Sequence, residues 1–144
     1  MDIFFNVLAN LMGAVAIILS TWAYIISKRE TIYGDLDSYY LEVLKIGLET
    51  PQFRNPSITK DYLTSFNDQN ERIAYETYAF ISMNFCETLI DRVKKDKSLM
   101  ETWYPAIRAE FLLHKSWIEN KENHYKYKEE FRQYLNNEVL NFKL

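Results

Sequence analysis

The residues best equipped for chemistry lie in two stretches of the C-terminal half. Asn84, Glu87 and Asp91 are spaced by three and four, so a helix carries them on one face. Glu110 and His114 form an i, i+4 pair with Arg108 close by. If these two faces meet, Glu87 or Asp91 can pair with Arg108 or His114 inside a bundle, as a satisfied structural network. The functional alternative is a polar pocket. Trp103, Tyr104 and Trp117 flank the same residues, and rings stacked beside Arg108 and Lys115 suit a nucleotide-like anion. The candidate ligand set is therefore Trp103, Arg108, His114, Lys115 and Trp117. Cys86 with His114 is a conceivable nucleophile and base, against the plainer reading of a small hydrophobic cysteine in a core. No Ser-His-Asp grouping with an elbow, phosphate-cradling glycine loop or His pair at metal spacing is present. No catalytic residue, metal ligand or cofactor is expected, and the chain reads as a non-enzyme.

Helices must position these groups. Leu36, Tyr39, Tyr40, Val43, Leu44 and Leu48 recur at helical spacing, with Gly34 offering a break before them and Asp35 a cap. Thr50-Pro51 ends that helix, since a residue before proline is biased away from helical backbone. A loop over 51–57 and a short helix over 58–66 follow. Asp68 and Glu71 have capping-box spacing and open the longest soluble helix, about 69–95. Its apolar residues occupy nearly all sides, which predicts a central position in a bundle. Ser98 and Glu101 form a second capping box, for a helix through Trp103, Ile107, Phe111, His114 and Ile118. Pro105 predicts a kink there or a restart at Tyr104. The last helix runs over about 125–141, with Phe131, Leu135, Val139 and Phe142 as its stripe. Nothing alternates at period two, so the fold class is all-α. Arg92, Lys94, Lys95 and Lys97 read as a solvated helix end or, alternatively, a contact for anionic headgroups.

The segment that organises the chain lies at the other end. Ile3 to Ile26 is 24 residues without a charge. As a helix it extends for ~36 Å, enough to cross a hydrocarbon core of ~30 Å with some tilt. It is too long for the core of a cleaved signal peptide, and the cations Lys28 and Arg29 follow rather than precede it. Those cations, against Asp2, place the C-terminal side in the cytoplasm. The expected organisation is a single-pass transmembrane helix at 1–27, N-terminus outside, and a small cytosolic helical bundle at 28–144. Setting aside Lys28, Arg29 and Asp2, 15 basic and 19 acidic residues remain, so a broad nucleic-acid-binding face is disfavoured. Cys86 is the single cysteine, which excludes a disulfide framework within the chain.

Small and polar residues in the span form a seam. Asn6, Ala9, Gly13, Ala16, Ser20, Ala23 and Ser27 follow alternating steps of three and four, with Asn10 and Thr21 beside them. Lipid supplies no hydrophobic force between helices, so association needs close backbone approach and interhelical hydrogen bonds. The expected partner is another copy of the chain, in a left-handed arrangement. The seam allows tight packing in a non-conducting anchored oligomer. It also allows a ring of four or more helices, a tetramer being the smallest, with Asn6 and Asn10 near the outer mouth and Gly13, Ala16 and Ser20 at a constriction.

The stretches YETYAFISMNFCETLIDRV (75–93) and TWYPAIRAEFLLHKSW (102–117), together with the one-span architecture, resemble short bacterial membrane effectors of antiphage operons, including the Hailong type. That resemblance implies an inner-membrane channel controlled by an oligonucleotide from a nucleotidyltransferase-like enzyme, and it carries over no functional residue. The combined expectation is a homo-oligomeric, pore-forming or depolarising effector in contact with membrane lipids, its cytosolic domain assembling and gating it under a nucleotide or oligonucleotide. The alternative is a membrane-tethered helical adaptor that binds a protein partner without conducting ions.

Overall fold

A computed structural model describes residues 2–139, without the side chains of Asp2, Ile3, Leu8, Ala9, Glu138 and Val139. Every regular element among the described residues is helical. The expected stripe positions Val139 and Phe142, and the helix end at Asn141, lie outside the described side chains or residues.

The first helix, α1, runs unbroken over Asp2–Glu49. The break expected at Gly34 does not form. Gly34 has no positive φ, so it does not act as a left-handed cap, and a Cβ there would meet nothing within 4 Å. A glycine inside a helix costs only ~1 kcal/mol relative to alanine, which the continuous hydrogen-bond ladder absorbs. The chain divides into two compact units, Met1–Ser38 and Tyr39–Leu144, and α1 contributes residues to each.

In the second unit, α1 stops before Thr50-Pro51 as expected, and a 3-10 turn over Pro51–Arg54 follows. The single short helix expected next is two: α2 (Pro56–Thr59) and α3 (Tyr62–Ser65). Asn55 caps α2 by accepting from the Ser57 amide at 3.0 Å. Helix α4 (Gln69–Val93) begins where the sequence indicates, with Asp68 Oδ1 accepting from the Asn70 amide. It is the central helix. Tyr75, Tyr78, Ala79, Met83, Phe85, Cys86, Leu89 and Val93 are all buried along it.

Helix α4 packs chiefly against α5 (Lys97–Leu113). The cap of α5 is Asp96, which accepts from the Leu99 amide at 3.1 Å, not Ser98. Starting at Lys97, α5 runs through Pro105 without a restart at Tyr104. Its end falls earlier than the apolar periodicity suggests. His114 leaves helical backbone (φ −107°, ψ 18°), and a separate short helix, α6, covers Lys115–Ile118. The expected last helix is divided too. A 3-10 segment over Lys121–Lys126 leads through extended Tyr127 and Lys128 into α7 (Glu129–Tyr134), followed by a π-type turn over Leu135–Val139.

Candidate functional site: a buried carboxylate, guanidinium and imidazole

Helix periodicity brings Glu110 and His114 to the inner side of α5, where both are fully buried. The cation that meets Glu110 comes from elsewhere in the chain. The turn after Pro51 returns Arg54 to the domain interior, and its Nη2 donates to Glu110 Oε1 at 2.9 Å. Its Nη1 donates to the Tyr78 hydroxyl oxygen at 2.8 Å. Tyr40, on the part of α1 within this unit, donates to the same Glu110 oxygen at 3.2 Å. The Tyr75 hydroxyl lies 3.1 Å from His114 Nδ1.

Two polar atoms in this cluster are left over. Glu110 Oε2 and His114 Nε2 are buried without a hydrogen-bond partner, and they face each other at 3.7 Å. That spacing is too long for a hydrogen bond. The carboxylate oxygen is an acceptor, so the neutral ring is best matched with its proton on Nε2 and its Nδ1 accepting from Tyr75.

Gly47 makes the arrangement possible. A Cβ on Gly47 would collide with Arg54 Cδ and approach the Tyr78 hydroxyl to 2.8 Å. The absence of a side chain therefore opens the path along which Arg54 crosses α1. The signal in the sequence is a glycine placed inside a helix, where it is disfavoured unless something must come close.

The electrostatics follow from burial. Burial foremost, and then the nearby Arg54 charge, lower the His114 pKa to about 3, so the imidazole is neutral and the 3.7 Å approach to Glu110 is not an ion pair. Burial also opposes the Arg54 charge, but hydrogen bonding to Glu110 and attraction by it outweigh that and raise the guanidinium's pKa. Burial and the adjacent Glu110 push Tyr40 up to about 12.

The polar set expected to act together is divided. Glu87 and Asp91 do not meet Arg108 or His114. Glu87 Oε1 accepts from the Lys128 amide at 3.1 Å, Lys128 Nζ donates to Asp91 Oδ2 at 2.6 Å, and Lys94 Nζ donates to Asp91 Oδ1. Asn84 donates to the Tyr39 hydroxyl oxygen. This face of α4 belongs to a surface ion-pair cluster, while Glu110 and His114 belong to the core.

The candidate ligand residues are spread likewise. Trp103 is buried edge-on against Tyr40 and Phe85. Trp117 is fully buried beside Tyr127, with Lys126 Nζ 4.9 Å from the centre of its ring. Arg108 is half-buried, with a buried Nε that no hydrogen bond satisfies. Lys115 lies 3.8 Å from Glu119. Cys86 is in the core, and burial raises its thiol pKa, as expected of a small apolar residue and not of a nucleophile.

The seam residues are placed differently. Asn6, Asn10, Gly13, Ala16, Ser20 and Ala23 are exposed on α1, and the side chain of Ala9 lies outside the described ones. The Ser20 hydroxyl donates to the Ala16 carbonyl oxygen at 2.7 Å and Thr21 donates to that of Ile17 at 2.8 Å. Those protons stay within their own helix. The amides of Asn6 and Asn10 are thus the stronger donors available to a neighbouring helix.

Helix α1 is long and apolar enough to cross a membrane, and none of its apolar stretch is buried. It is thus a candidate membrane-spanning helix. The chain matches no family model, no curated protein and no solved structure.

Proposed function

We propose that this chain is a homo-oligomeric membrane protein. Helix α1 supplies the span, and copies of α1 pack along the seam into a conducting or depolarising assembly. The domain from Tyr39 onward assembles and gates that assembly from the cytoplasmic side, the side favoured by Lys28 and Arg29. The observation that carries this reading is the bare apolar window of α1. Phe4, Leu11, Ile18, Leu19 and Trp22 are each more than half exposed, far more apolar surface than a water-soluble monomer leaves open. The polar residues of the span lie on the seam (Asn6, Ser20) or next to it (Asn10, Thr21), which supports contact between copies.

Control by a nucleotide or oligonucleotide, as in the antiphage effectors that the chain resembles, is part of the proposal. Arg108 and Lys115 are the cations it assigns to that role, because Trp103 and Trp117 are already engaged in the core.

Ion flux through reconstituted liposomes, measured with the particle mass in detergent, tests the reading. Flux from an assembly of four or more copies, lost in Asn10→Leu, supports it. A monomer without flux sinks it.

One observation favours the adaptor alternative. Ile73, Phe80 and Tyr125 are exposed, Tyr125 by 84%, and line an open cleft of about 400 Å³ with Glu76, Thr77 and Lys126. Activity that survives exchange of the span for an unrelated apolar helix would favour that reading over the channel.

A further inference from the structure

We propose that Glu110 is an exchange point: Arg54 neutralises it in this state, and His114 takes over, with a proton from water, when Arg54 withdraws. The argument starts from burial. Glu110 has no exposed surface, whereas the Arg54 side chain is 28% exposed and sits at the rim. Arg54 can move its charge outward into water, and Glu110 cannot follow. A carboxylate left unpaired in a protein interior costs several kcal/mol, so the departure of Arg54 must be accompanied by another positive charge. The base in position to provide it is His114, with Nε2 3.7 Å from the unpartnered Glu110 Oε2. Closing that gap to the ~2.8 Å of a charge-assisted hydrogen bond needs a shift of under about 1 Å.

The exchange takes up one proton, from water, and breaks no other covalent bond. His114 already directs its Nε2 proton at Glu110, so the incoming proton binds Nδ1. Nδ1 then changes from acceptor to donor, and the Tyr75 hydroxyl oxygen, 3.1 Å away, changes from donor to acceptor.

The charged and titratable groups around His114 fit this exchange. Glu110 on α5 is the only acid of the cluster, and Tyr75 and Tyr78 approach from α4 with ring centres at 5.6 and 5.3 Å. Arg54 on the Pro51–Arg54 turn opposes protonation, as its effect on the imidazole shows. Lys115, the next residue in the chain, is engaged by Glu119. Proton uptake and release of Arg54 are therefore linked, and acid favours the released state.

The test is histidine-selective NMR on the full chain in detergent, with His124 as the internal reference. In Arg54→Gln, the pKa of His114 should rise by about two pH units or more, the reach of one lost like charge and one gained ion pair at a buried site. In Arg54→Gln with Glu110→Gln, the part of that rise due to the ion pair should disappear, leaving only the smaller part due to the lost Arg54 charge. A His114 that stays neutral down to pH 4.5 in folded Arg54→Gln overturns the exchange, because the carboxyl is then neutralised in some other way. So does a rise of undiminished size in the double variant. If Arg54→Gln is unfolded at pH 7, the exchange requires it to fold near pH 5. A chain unfolded at both values overturns it.

Discussion

The two glycines Gly13 and Gly47 stand in the same helix and have opposite surroundings. A Cβ added at Gly13 would meet nothing within 4 Å, whereas one added at Gly47 would strike Arg54 and Tyr78. The contrast extends to the regions around them. Near Gly13, large apolar side chains are bare and hydroxyls hydrogen-bond back to their own helix. Near Gly47, rings are closed over a carboxylate, a guanidinium and an imidazole. One region is packed within the chain. The other leaves its apolar surface bare in the single chain. Substitutions should therefore separate cleanly: those around Gly47 act on folding, and those around Gly13 act on assembly.

The largest effect expected is at Arg54. Arg54→Ala strands Glu110 without a cation in the interior and should destabilise the domain by about 3–5 kcal/mol at pH 7. Glu110→Gln should cost clearly less, about 1–3 kcal/mol, because Arg54 is at the rim and can reach water. Denaturant unfolding followed by tryptophan fluorescence measures both. Equal losses would contradict the asymmetry drawn here between the two partners. Next comes Gly47→Ala. The added methyl forces Arg54 from its path, an overpacking cost of about 1–3 kcal/mol. Alanine is otherwise the better helix former, so a stabilised Gly47→Ala would show that Arg54 does not depend on that opening.

Much of the fold was legible in the sequence because it rests on local rules. The uncharged run, the helical spacing of α4, its start after Asp68 and the stop at Thr50-Pro51 need only neighbouring residues. Errors gathered where a local rule met a competitor. Gly34 resembles a break, but one glycine does not stop a helix that continues well on both sides. Ser98 has the better capping-box spacing, yet Asp96 lies in extended backbone just before the first helical residue and its carboxylate accepts the Leu99 amide. The core network was half legible. The i, i+4 spacing paired Glu110 with His114, but Arg54 is 56 residues away from its carboxylate partner. No periodicity links residues so separated. Only the disfavoured glycine at 47 carries a sign of a close approach, and it does not say what approaches.

A smaller effect comes from pH. The His114 pKa is lowered to about 3 in the folded chain, against an ordinary value of 6.5. Between these values the unfolded chain binds a proton that the folded chain does not, so stability rises with pH in that window and falls with acid. The slope approaches ~1.4 kcal/mol per pH unit, and going from pH 7 to 5.5 should cost about 1 kcal/mol. Unfolding curves at the two pH values check this, with His114→Gln as the control. The loss should be absent in the control, and a wild type equally stable at both pH values would mean that His114 is not held neutral.

The smallest effect on the fold, and the sharpest on assembly, is expected at Gly13. Because a Cβ added there meets nothing within 4 Å beyond its own stretch of helix, Gly13→Leu should leave unfolding of the domain within about 0.5 kcal/mol of wild type. Leucine is also the better helix former, so α1 itself is not weakened. Between copies the same change inserts a bulky group where small residues allow helices to approach, and that contact should be lost. The particle mass in detergent, read beside the unfolding curve, then separates the two regions in one variant. A smaller particle with an unchanged domain places the seam between copies of the chain. An unchanged particle with an unchanged domain would mean that the helices meet elsewhere, and the seam assignment would fall.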